Sequence, residues 1–335
     1  MAEDLEEKPF PRVGIYGAGA IGGWIGAALA HAGCNVSVVA RGATLAALRQ
    51  QGLRVQRGEQ VTTVQVQASD DPAALGAQDL VVVAVKAPAL AEVARRIAPL
   101  LGEDTVVLTA MNGVPWWFLD GFGGRFAGTR LTSVDPDGEI ARAIATRHVI
   151  GCVVHASCAL NGPGFVHHRF GNTLIVGEPS GAVTPRVQQL AALLRGAGIE
   201  CVIAEQIQKD TWYKLWGNMT VNPISLLTGA TTDLIMGDEL VRNFISSIML
   251  EAREVGARIG VPIAERPEDR HAVTMKLGAF KTSMLQDVEA GRAVELDALV
   301  TVVRELGQLT GVVTPFTDAL LGLARLRARG LGLYQ

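Results

Sequence analysis

The sequence has few of the features that mark secreted, membrane-spanning or metal-binding proteins. Its four cysteines (Cys34, Cys152, Cys158 and Cys201) form no Cys-x-x-Cys pair. They therefore predict neither a disulfide framework nor a zinc ribbon, and no metal site is expected. No stretch of about 18 uncharged apolar residues is present, and residues 1–8 are acidic, unlike a signal peptide. The expected location is cytoplasmic, with no membrane partner.

The chain also lacks a strong charge imbalance. Its 30 Lys and Arg residues nearly balance 33 Asp and Glu residues, which gives a formal net charge of -3. Because nucleic-acid binding needs clustered positive charge, no nucleic-acid partner is expected. At 335 residues and 49% hydrophobic content, the chain exceeds the usual size of one compact core. Two domains are therefore predicted.

Short valine-rich runs alternate with helical segments in the first half of the chain. Strands are predicted at 13–16, 35–40, 80–85 and 105–109, with helices at 21–32, 43–51 and 88–101. This alternation predicts an α/β domain with a Rossmann-type, doubly wound parallel sheet. An inserted hairpin is predicted at 53–66, and further strand-like segments run from 131 to 176. Beyond Pro185 nearly everything has helical character, which predicts an all-helical C-terminal domain.

A glycine-rich segment follows the first predicted strand and opens the first predicted helix. In this context it is typical of a dinucleotide-binding turn. Gly17 permits a tight turn, Gly19 lets the backbone approach a pyrophosphate, and Gly22 allows close helix packing. The helix N-terminus then attracts the phosphates. A glycine turn without a ligand is the alternative. The predicted cofactor-binding residues are Gly17, Ala18, Gly19, Ala20, Ile21 and Gly22.

The end of the second predicted strand bears on the choice of cofactor. An NAD enzyme normally presents Asp or Glu there to the ribose hydroxyls. This sequence has Arg41 instead, and it has no acidic residue between Glu7 and Glu59. A guanidinium can bind a 2'-phosphate bidentately, with Thr44 as a further hydroxyl donor, so NADP (NADPH) is the predicted cofactor. A solvated arginine at a strand end is the alternative.

Polar residues follow two further strands of the predicted sheet. Lys86 comes directly after one valine-rich run, and Asn112 follows the next. Ligands of doubly wound sheets bind at the carboxyl ends of the strands, which favours a binding role for both residues. Lys86 could instead end a strand in solvent, and Asn112-Gly113 could be only a turn.

One predicted helix in the second half carries a polar stripe. Lys214, Asn218 and Asn222 follow each other at intervals of four residues and so lie on one face. Asparagine is a poor residue for a helix interior, and a lysine among three aromatics is desolvated, so stability alone does not explain the stripe. Desolvation would bring a lysine pKa towards the range that suits a proton donor. An exposed polar face is the alternative.

Two more polar positions lie near residue 290. Ser283 is a candidate ligand contact, although with Gln286 it also fits a helix capping box. Glu295 is a candidate carboxylate, although with Asp297 it could merely favour the first turn of a helix.

Taken together, these motifs resemble those of the ketopantoate reductases (2-dehydropantoate 2-reductases), and the resemblance extends from Arg12 to about Arg329. It implies a Rossmann domain followed by a helical domain. The motifs in the family's order are the glycine fingerprint with Arg41, Lys86, Asn112-Gly113, Lys214-x-x-x-Asn218-x-x-x-Asn222-Pro223, and Ser283-Met284-Leu285-Gln286-Asp287 followed by Glu295.

The resemblance implies a role for each of these residues. Lys214 would be the general acid that protonates the carbonyl oxygen during reduction of a small 2-oxo acid. Glu295 would orient the substrate and this lysine. The implied ligand contacts are the substrate hydroxyl or carbonyl for Asn218 and Asn222, the substrate carboxylate for Ser283, and cofactor and substrate for Lys86 and Asn112.

The expected function is therefore NADPH-dependent reduction of 2-dehydropantoate to pantoate. Reduction of a different small 2-oxo acid and a non-catalytic NADPH sensor are the alternatives. The bulky pair Trp116-Trp117 either packs in the core or reshapes the pocket for another acid. The expected division is a tail at 1–11, an NADP-binding domain at 12–190 and a helical substrate-binding and catalytic domain at 191–335. Base rates favour a homodimer.

Overall fold

The computed structural model describes residues 11–122 and 124–335, and these form two compact units. The first unit runs to Val85 and continues through Ala89–Met111 and Glu139–Ile207. The second contains Lys86–Pro88, Asn112–Gly138 and Gln208–Gln335. The predicted tail at 1–11 lies almost wholly outside the described residues.

The first unit is built on one large mixed sheet. Its strand order is β4-β3-β9-β8-β7-β6-β1-β2-β5, and β10 pairs with β9. The strands are β1 (Arg12–Tyr16), β2 (Asn35–Val39), β3 (Leu53–Arg57), β4 (Gln60–Val64), β5 (Gln67–Ser69), β6 (Gln78–Val83), β7 (Leu101–Thr109), β8 (Val149–Gly162), β9 (Phe165–Gly177) and β10 (Glu200–Ile203). The helices are α1 (Ala20–His31), α2 (Gly42–Gln51), α3 (Leu90–Arg96), α4 (Glu139–Ala143) and α5 (Pro185–Gly196).

The predicted fold class is confirmed, with one refinement to the sheet. Strands β8, β7, β6, β1, β2 and β5 are parallel neighbours, as a doubly wound sheet requires. The β3–β4 and β8–β9 pairs are antiparallel, so the whole sheet is mixed. The predicted hairpin at 53–66 is present as β3 and β4, with Gly58 at a φ of +56° in the turn.

Three expectations about this unit were wrong. The segment 88–101 is not one helix, because α3 ends at Arg96 and Pro99 lies in a short 3-10 turn that leads into β7. Residues 131–148 contain no strand, and the strands begin only at Val149. The strand β10, which follows the first helix beyond Pro185, was missed because its four residues are too few to show a period.

The first unit does not end at the predicted boundary between residues 190 and 191. That position falls inside α5, which packs with β10 and β9 in the first unit. Val187, Leu190, Ala191 and Leu194 on the buried face of α5 belong to the same hydrophobic core as the sheet. Since α5 buries this face on the sheet, the first unit continues to Ile207.

The second unit consists of helices around a separate core. They are α6 (Ile207–Thr228), α7 (Thr232–Gly237), α8 (Glu239–Ile259), α9 (Pro267–Met275), α10 (Ser283–Glu289), α11 (Val302–Thr310) and α12 (Pro315–Gly330), with a π-helical turn at Asp297–Thr301 before α11. Of these helices, α6, α8 and α12 are the long ones, with 22, 21 and 16 residues.

Close contacts between helices fix the position of α6 in this core. The indole of Trp216 donates to the carbonyl oxygen of Met249 at 2.7 Å. Trp212 packs directly against Gly256 on α8. A methyl group on this glycine would lie 2.3 Å from the indole nitrogen of Trp212. Both tryptophans are 1% exposed. The helix that carries the predicted polar stripe is therefore held rigidly from its apolar side.

Two kinds of feature are absent from the described residues. No helix within residues 11–122 and 124–335 is long and apolar enough to cross a membrane. No cluster of three or more His, Cys, Asp or Glu side chains in those ranges could hold a metal ion.

A buried ion pair fastens the start of α5 to the sheet and yields a stability prediction. The Glu178 carboxylate is 4% exposed and accepts from Arg186 Nε at 2.7 Å and from Thr184 Oγ1 at 2.5 Å. Replacing Glu178 with Ala leaves the guanidinium without its carboxylate. We expect the free energy of unfolding to fall by about 3 kcal/mol, as measured by urea denaturation. The exposed Glu103→Ala is the control, and an equally small effect of both substitutions would contradict the prediction.

Candidate functional site

The glycine-rich turn between β1 and α1 has the backbone shape that its sequence predicts. Gly17 has a φ of +108°, and a methyl group there would lie 2.9 Å from the backbone of Ala84. A methyl group on Gly22 would lie 2.1 Å from the carbonyl oxygen of Gly17. Around Gly19, in contrast, a methyl group would meet nothing within 4 Å. Two glycines are thus required for packing, and the third leaves open space in front of the turn.

The start of α1 is suited to a negatively charged group. Gly19 is the N-cap and makes no side-chain cap hydrogen bond, and the first turn has no acidic residue. The positive end of the helix dipole is therefore not neutralised by a side chain. Together with the open space at Gly19, this arrangement fits the pyrophosphate of a dinucleotide.

Arg41 lies at the N-cap of α2, and it has a partner that the sequence did not predict. Its Nη1 lies 2.5 Å from Oε1 of Glu92 on α3. The local sequence contains no carboxylate, but the fold brings one from 51 residues away. The side chains of Arg41 and Glu92 are 64% and 42% exposed, so this ion pair is weak and a phosphate could replace the carboxylate.

The polar stripe of α6 is confirmed as one helix face within the second unit. Lys214 is half-buried, and its ammonium group donates to Oδ1 of Asn112 at 2.8 Å. Asn218 is half-buried and Asn222 is 6% exposed on the same face. The amide oxygen of Asn112 accepts this hydrogen bond and so fixes the position of the lysine nitrogen.

The turn after Asn112 fixes the position of its amide. Gly113 has a φ of +84°, and a methyl group there would lie 2.5 Å from the carbonyl oxygen of Ala298. The backbone N–H of Val114 donates to this same oxygen at 2.9 Å. Asn112-Gly113 is therefore a turn, as the alternative held, and it also delivers the amide to Lys214.

Lys86 contacts two buried carboxylates of the second unit. Its Nζ donates to Oδ2 of Asp287 and lies 3.5 Å from Oε2 of Glu295. The backbone N–H of Ala87 donates to Oε1 of Glu295 at 2.9 Å, and Arg292 Nε donates to Oδ1 of Asp287 at 3.0 Å. Asp287 and Glu295 are 2% and 5% exposed. We call these four side chains, Lys86, Asp287, Arg292 and Glu295, the carboxylate cluster.

Burial dominates the protonation of Glu295. It raises the pKa of this carboxyl above its ordinary value, and nearby Asp287 raises it further. Lys86 and the N–H of Ala87 oppose the shift without cancelling it. Glu295 directly precedes Leu296, where the helical segment begins, and Asp297 lies in its first turn. The alternative explanation, that these two acids favour the start of a helix, therefore also fits the structure.

Ser283 is the first residue of α10 and does not form the capping box that was its alternative explanation. The N-cap is Thr282, whose hydroxyl accepts from the N–H of Leu285 at 3.1 Å. Thr282 Oγ1 also lies 2.5 Å from Oγ of Ser225 on α6. These contacts place the start of α10 beside the second half of α6.

No individual role was expected for Asp287 or Arg292. The spacing of Asp287 did indicate a buried position. It lies three residues after Met284, so the two residues share one face of α10, and both side chains are buried there. A carboxylate on a core-facing position requires a cation. Trp116 and Trp117 are 3% and 1% exposed, as expected for core packing.

Two family models match the chain in sequence. The model described as ketopantoate reductase PanE/ApbA matches residues 13–181. The model for the C-terminal part of the same family, ketopantoate reductase PanE/ApbA C terminal, matches residues 206–328.

Known proteins of similar sequence and structure give the same result. A 2-dehydropantoate 2-reductase from Mesorhizobium japonicum is 44% identical over 324 residues, covering 96% of this chain and 99% of that protein. A crystal structure from Ralstonia solanacearum, described as a ketopantoate reductase, is 55% identical with a TM-score of 0.93, covering 97% of this chain and all of that one. D-mandelate dehydrogenase with NADH and anilino(oxo)acetate has a TM-score of 0.80 at 19% identity, with 96% of this chain and 99% of that one covered, and shares the fold.

The raised pKa of Glu295 predicts a pH-dependent contribution to stability. Between the ordinary and the raised pKa, the folded chain binds the proton that the unfolded chain has lost, so stability falls as pH increases. Glu295→Gln removes this titration. Relative to the wild type, we expect its melting temperature to rise as the pH increases from about 4.5 to 8. The exposed Glu289→Gln is the control. A constant difference between Glu295→Gln and wild type over this range would refute the prediction.

Proposed function

Because the chain belongs to the ketopantoate reductase family of pyridine-nucleotide-dependent oxidoreductases, we propose that it reduces 2-dehydropantoate to pantoate. NADPH is the proposed cofactor, and Lys214 is the proposed general acid. The reaction would place the protein in pantothenate biosynthesis, which leads to coenzyme A. The observation that carries the proposal is the ammonium group of Lys214, half-buried and hydrogen-bonded to a neutral amide at 2.8 Å.

The proton step follows from the surroundings of Lys214. Reduction of a ketone leaves negative charge on the carbonyl oxygen, and a positioned ammonium group both stabilises that charge and transfers a proton to it. The amide of Asn112 holds the ammonium in place. Asn218 and Asn222 lie on the same face and would bind the hydroxyl or carbonyl groups of the acid.

The remaining site residues would orient the substrate. Ser283, at the start of α10, would contact the carboxylate. Glu295, whose oxygens already accept from Ala87 and lie near Lys86, would orient the substrate and Lys214. Lys86 holds this carboxylate in place and so acts as a positioning residue, in addition to its predicted cofactor contact. Asn112 would contact both ligands.

The first unit would hold the cofactor. Gly17–Gly22 and the start of α1 suit the pyrophosphate, and Arg41 would bind the 2'-phosphate of NADPH in place of Glu92. When bound, NADPH supplies the hydride. D-mandelate dehydrogenase, which shares the fold, is described with NADH, so the fold does not determine the choice between NADPH and NADH.

The family motifs do not select one acid, because they are shared among enzymes that act on different acids. Trp116 and Trp117 are buried, which fits core packing and the wall of a pocket equally well. A different 2-oxo acid and a non-catalytic sensor are therefore kept as outcomes of the test. A homodimer stays a prediction.

The direct test is NADPH oxidation, followed by nicotinamide absorbance, with ketopantoate and a panel of other 2-oxo acids. Fast turnover of ketopantoate supports the proposal. Preference for another acid would keep the chemistry and replace the substrate. NADPH binding without turnover of any acid would leave a sensor.

A substitution of Lys214 tests the general acid. We expect Lys214→Ala to lower kcat by about 10²- to 10⁴-fold, because no other group would protonate the carbonyl oxygen. The dissociation constant for NADPH, measured by fluorescence titration, should change little. Lys209→Ala, an exposed lysine on the same helix, is the matched control. Equal turnover of the two variants would remove Lys214 from the mechanism.

Substitutions of the Arg41–Glu92 pair test cofactor choice. Arg41→Ala should raise KM for NADPH by about 10-fold, because an exposed guanidinium loses its contact with the phosphate. Glu92→Gln should lower KM for NADPH, because the carboxylate no longer competes for Arg41. NADH, which lacks the 2'-phosphate, is the internal control. Equal changes in KM for NADPH and NADH would mean that Arg41 does not contact the 2'-phosphate.

A further inference from the structure

Arg270 on α9 is a half-buried cation with no carboxylate partner among the residues that the structure describes. Its Nε is buried and has no hydrogen-bond partner there. Burial lowers the pKa of this guanidinium, and only Tyr213 opposes the shift. Because a charge removed from water without a counter-ion is costly, most buried arginines are paired with an acid. Arg270 therefore needs an explanation that packing alone does not supply.

The side chain is held against α6 by two residues. The guanidinium carbon lies 5.4 Å from the ring centroid of Tyr213, within the range of a cation–π contact. It also occupies the space beside Gly217, where a methyl group would lie 2.7 Å from Nε and 2.8 Å from Nη2 of Arg270. Gly217 is the residue that gives this cation room to lie on the helix.

This position borders the polar stripe of α6. Gly217 is three residues from Lys214, so the two are neighbours on the helix surface, about 60° apart around the axis. The stripe continues from Lys214 to Asn218 and Asn222. A 2-oxo acid has its carboxylate and its ketone on adjacent carbon atoms. Two donors that serve these groups must themselves be neighbours.

We propose that Arg270, held by Tyr213 and Gly217, forms a carboxylate subsite that binds the acid group of the substrate whose ketone Lys214 protonates. The proposal rests on the proposed function and adds a residue that determines specificity for acids. A guanidinium binds a carboxylate with two parallel hydrogen bonds, which a serine hydroxyl alone cannot provide. The subsite would supply the missing counter-ion of Arg270 only when an acid is bound.

The first test compares a 2-oxo acid with its primary amide, which keeps the ketone and removes the negative charge. For Arg270→Gln we expect the preference for the acid, as the ratio of kcat/KM values, to fall by about 10- to 100-fold, mainly through KM. NADPH binding should not change. Arg266→Gln, on an exposed arginine one turn earlier, is the matched control and should keep the wild-type ratio.

The second test keeps Arg270 and fills the space beside Gly217 that its guanidinium occupies. Gly217→Ala should displace the guanidinium, which can move because it ends a flexible side chain, and should lower the acid preference in the same direction. Since alanine favours a helix over glycine, the melting temperature should not fall. A purely structural role for Arg270 would predict lower stability and an unchanged ratio of acid to amide.

Calorimetric titration of acid and amide into the protein with oxidised NADP separates this subsite from the proposed function. If the wild type binds the acid through Arg270 but reduces no acid, the reductase proposal fails and the subsite stands. If the wild type reduces ketopantoate while Arg270→Gln and Gly217→Ala keep its acid preference, the subsite is overturned. Equal binding of acid and amide by the wild type overturns it as well.

Discussion

The neutralisation of two buried carboxylates is the constraint on which the arrangement of the second unit depends. Asp287 and Glu295 are almost fully buried, and an unpaired buried charge is strongly destabilising. Lys86, Arg292 and the N–H of Ala87 satisfy them. This requirement explains why Lys86–Pro88 belongs to the second unit, although the sequence on both sides of it belongs to the first. Lys86 lies where its charge is needed, and the adjacent N–H of Ala87 donates to the second carboxylate.

The two lysines that the sequence singled out have different environments, and these suit different roles. Lys214 is bonded to a neutral amide, whereas Lys86 contacts two carboxylates. Contact with two buried carboxylates suits Lys86 to holding carboxylates in place. The contact of Lys214 with an amide suits the role of proton donor that we propose for it. The sequence around each lysine does not distinguish them, because the partners lie far away in the chain.

Sequence reasoning succeeded where the physical cause is local. The tight turn at Gly17, the hairpin around Gly58 and the helix that carries Lys214 depend on residues within about one turn of each other. It failed where a distant segment decides. Glu92 reaches Arg41 from 51 residues away, and Lys86 reaches Asp287 from 201 residues away. The boundary at 190 failed for the same reason, because only the sheet shows that α5 belongs with it.

The ion pairs differ in strength, and only residues of the weak pairs can be substituted with little effect on stability. The Arg41–Glu92 pair is exposed and contributes at most about 1 kcal/mol, so substitutions there can alter cofactor preference with little effect on stability. Asp287 is buried between two cations, and its removal would leave Arg292 without its carboxylate and Lys86 with Glu295 alone. Arg270 lies between these cases, since it is half-buried and lacks an acid. A residue of this kind can be exchanged at small structural cost, which makes it a suitable position for setting substrate preference while Lys214 and its amide stay unchanged.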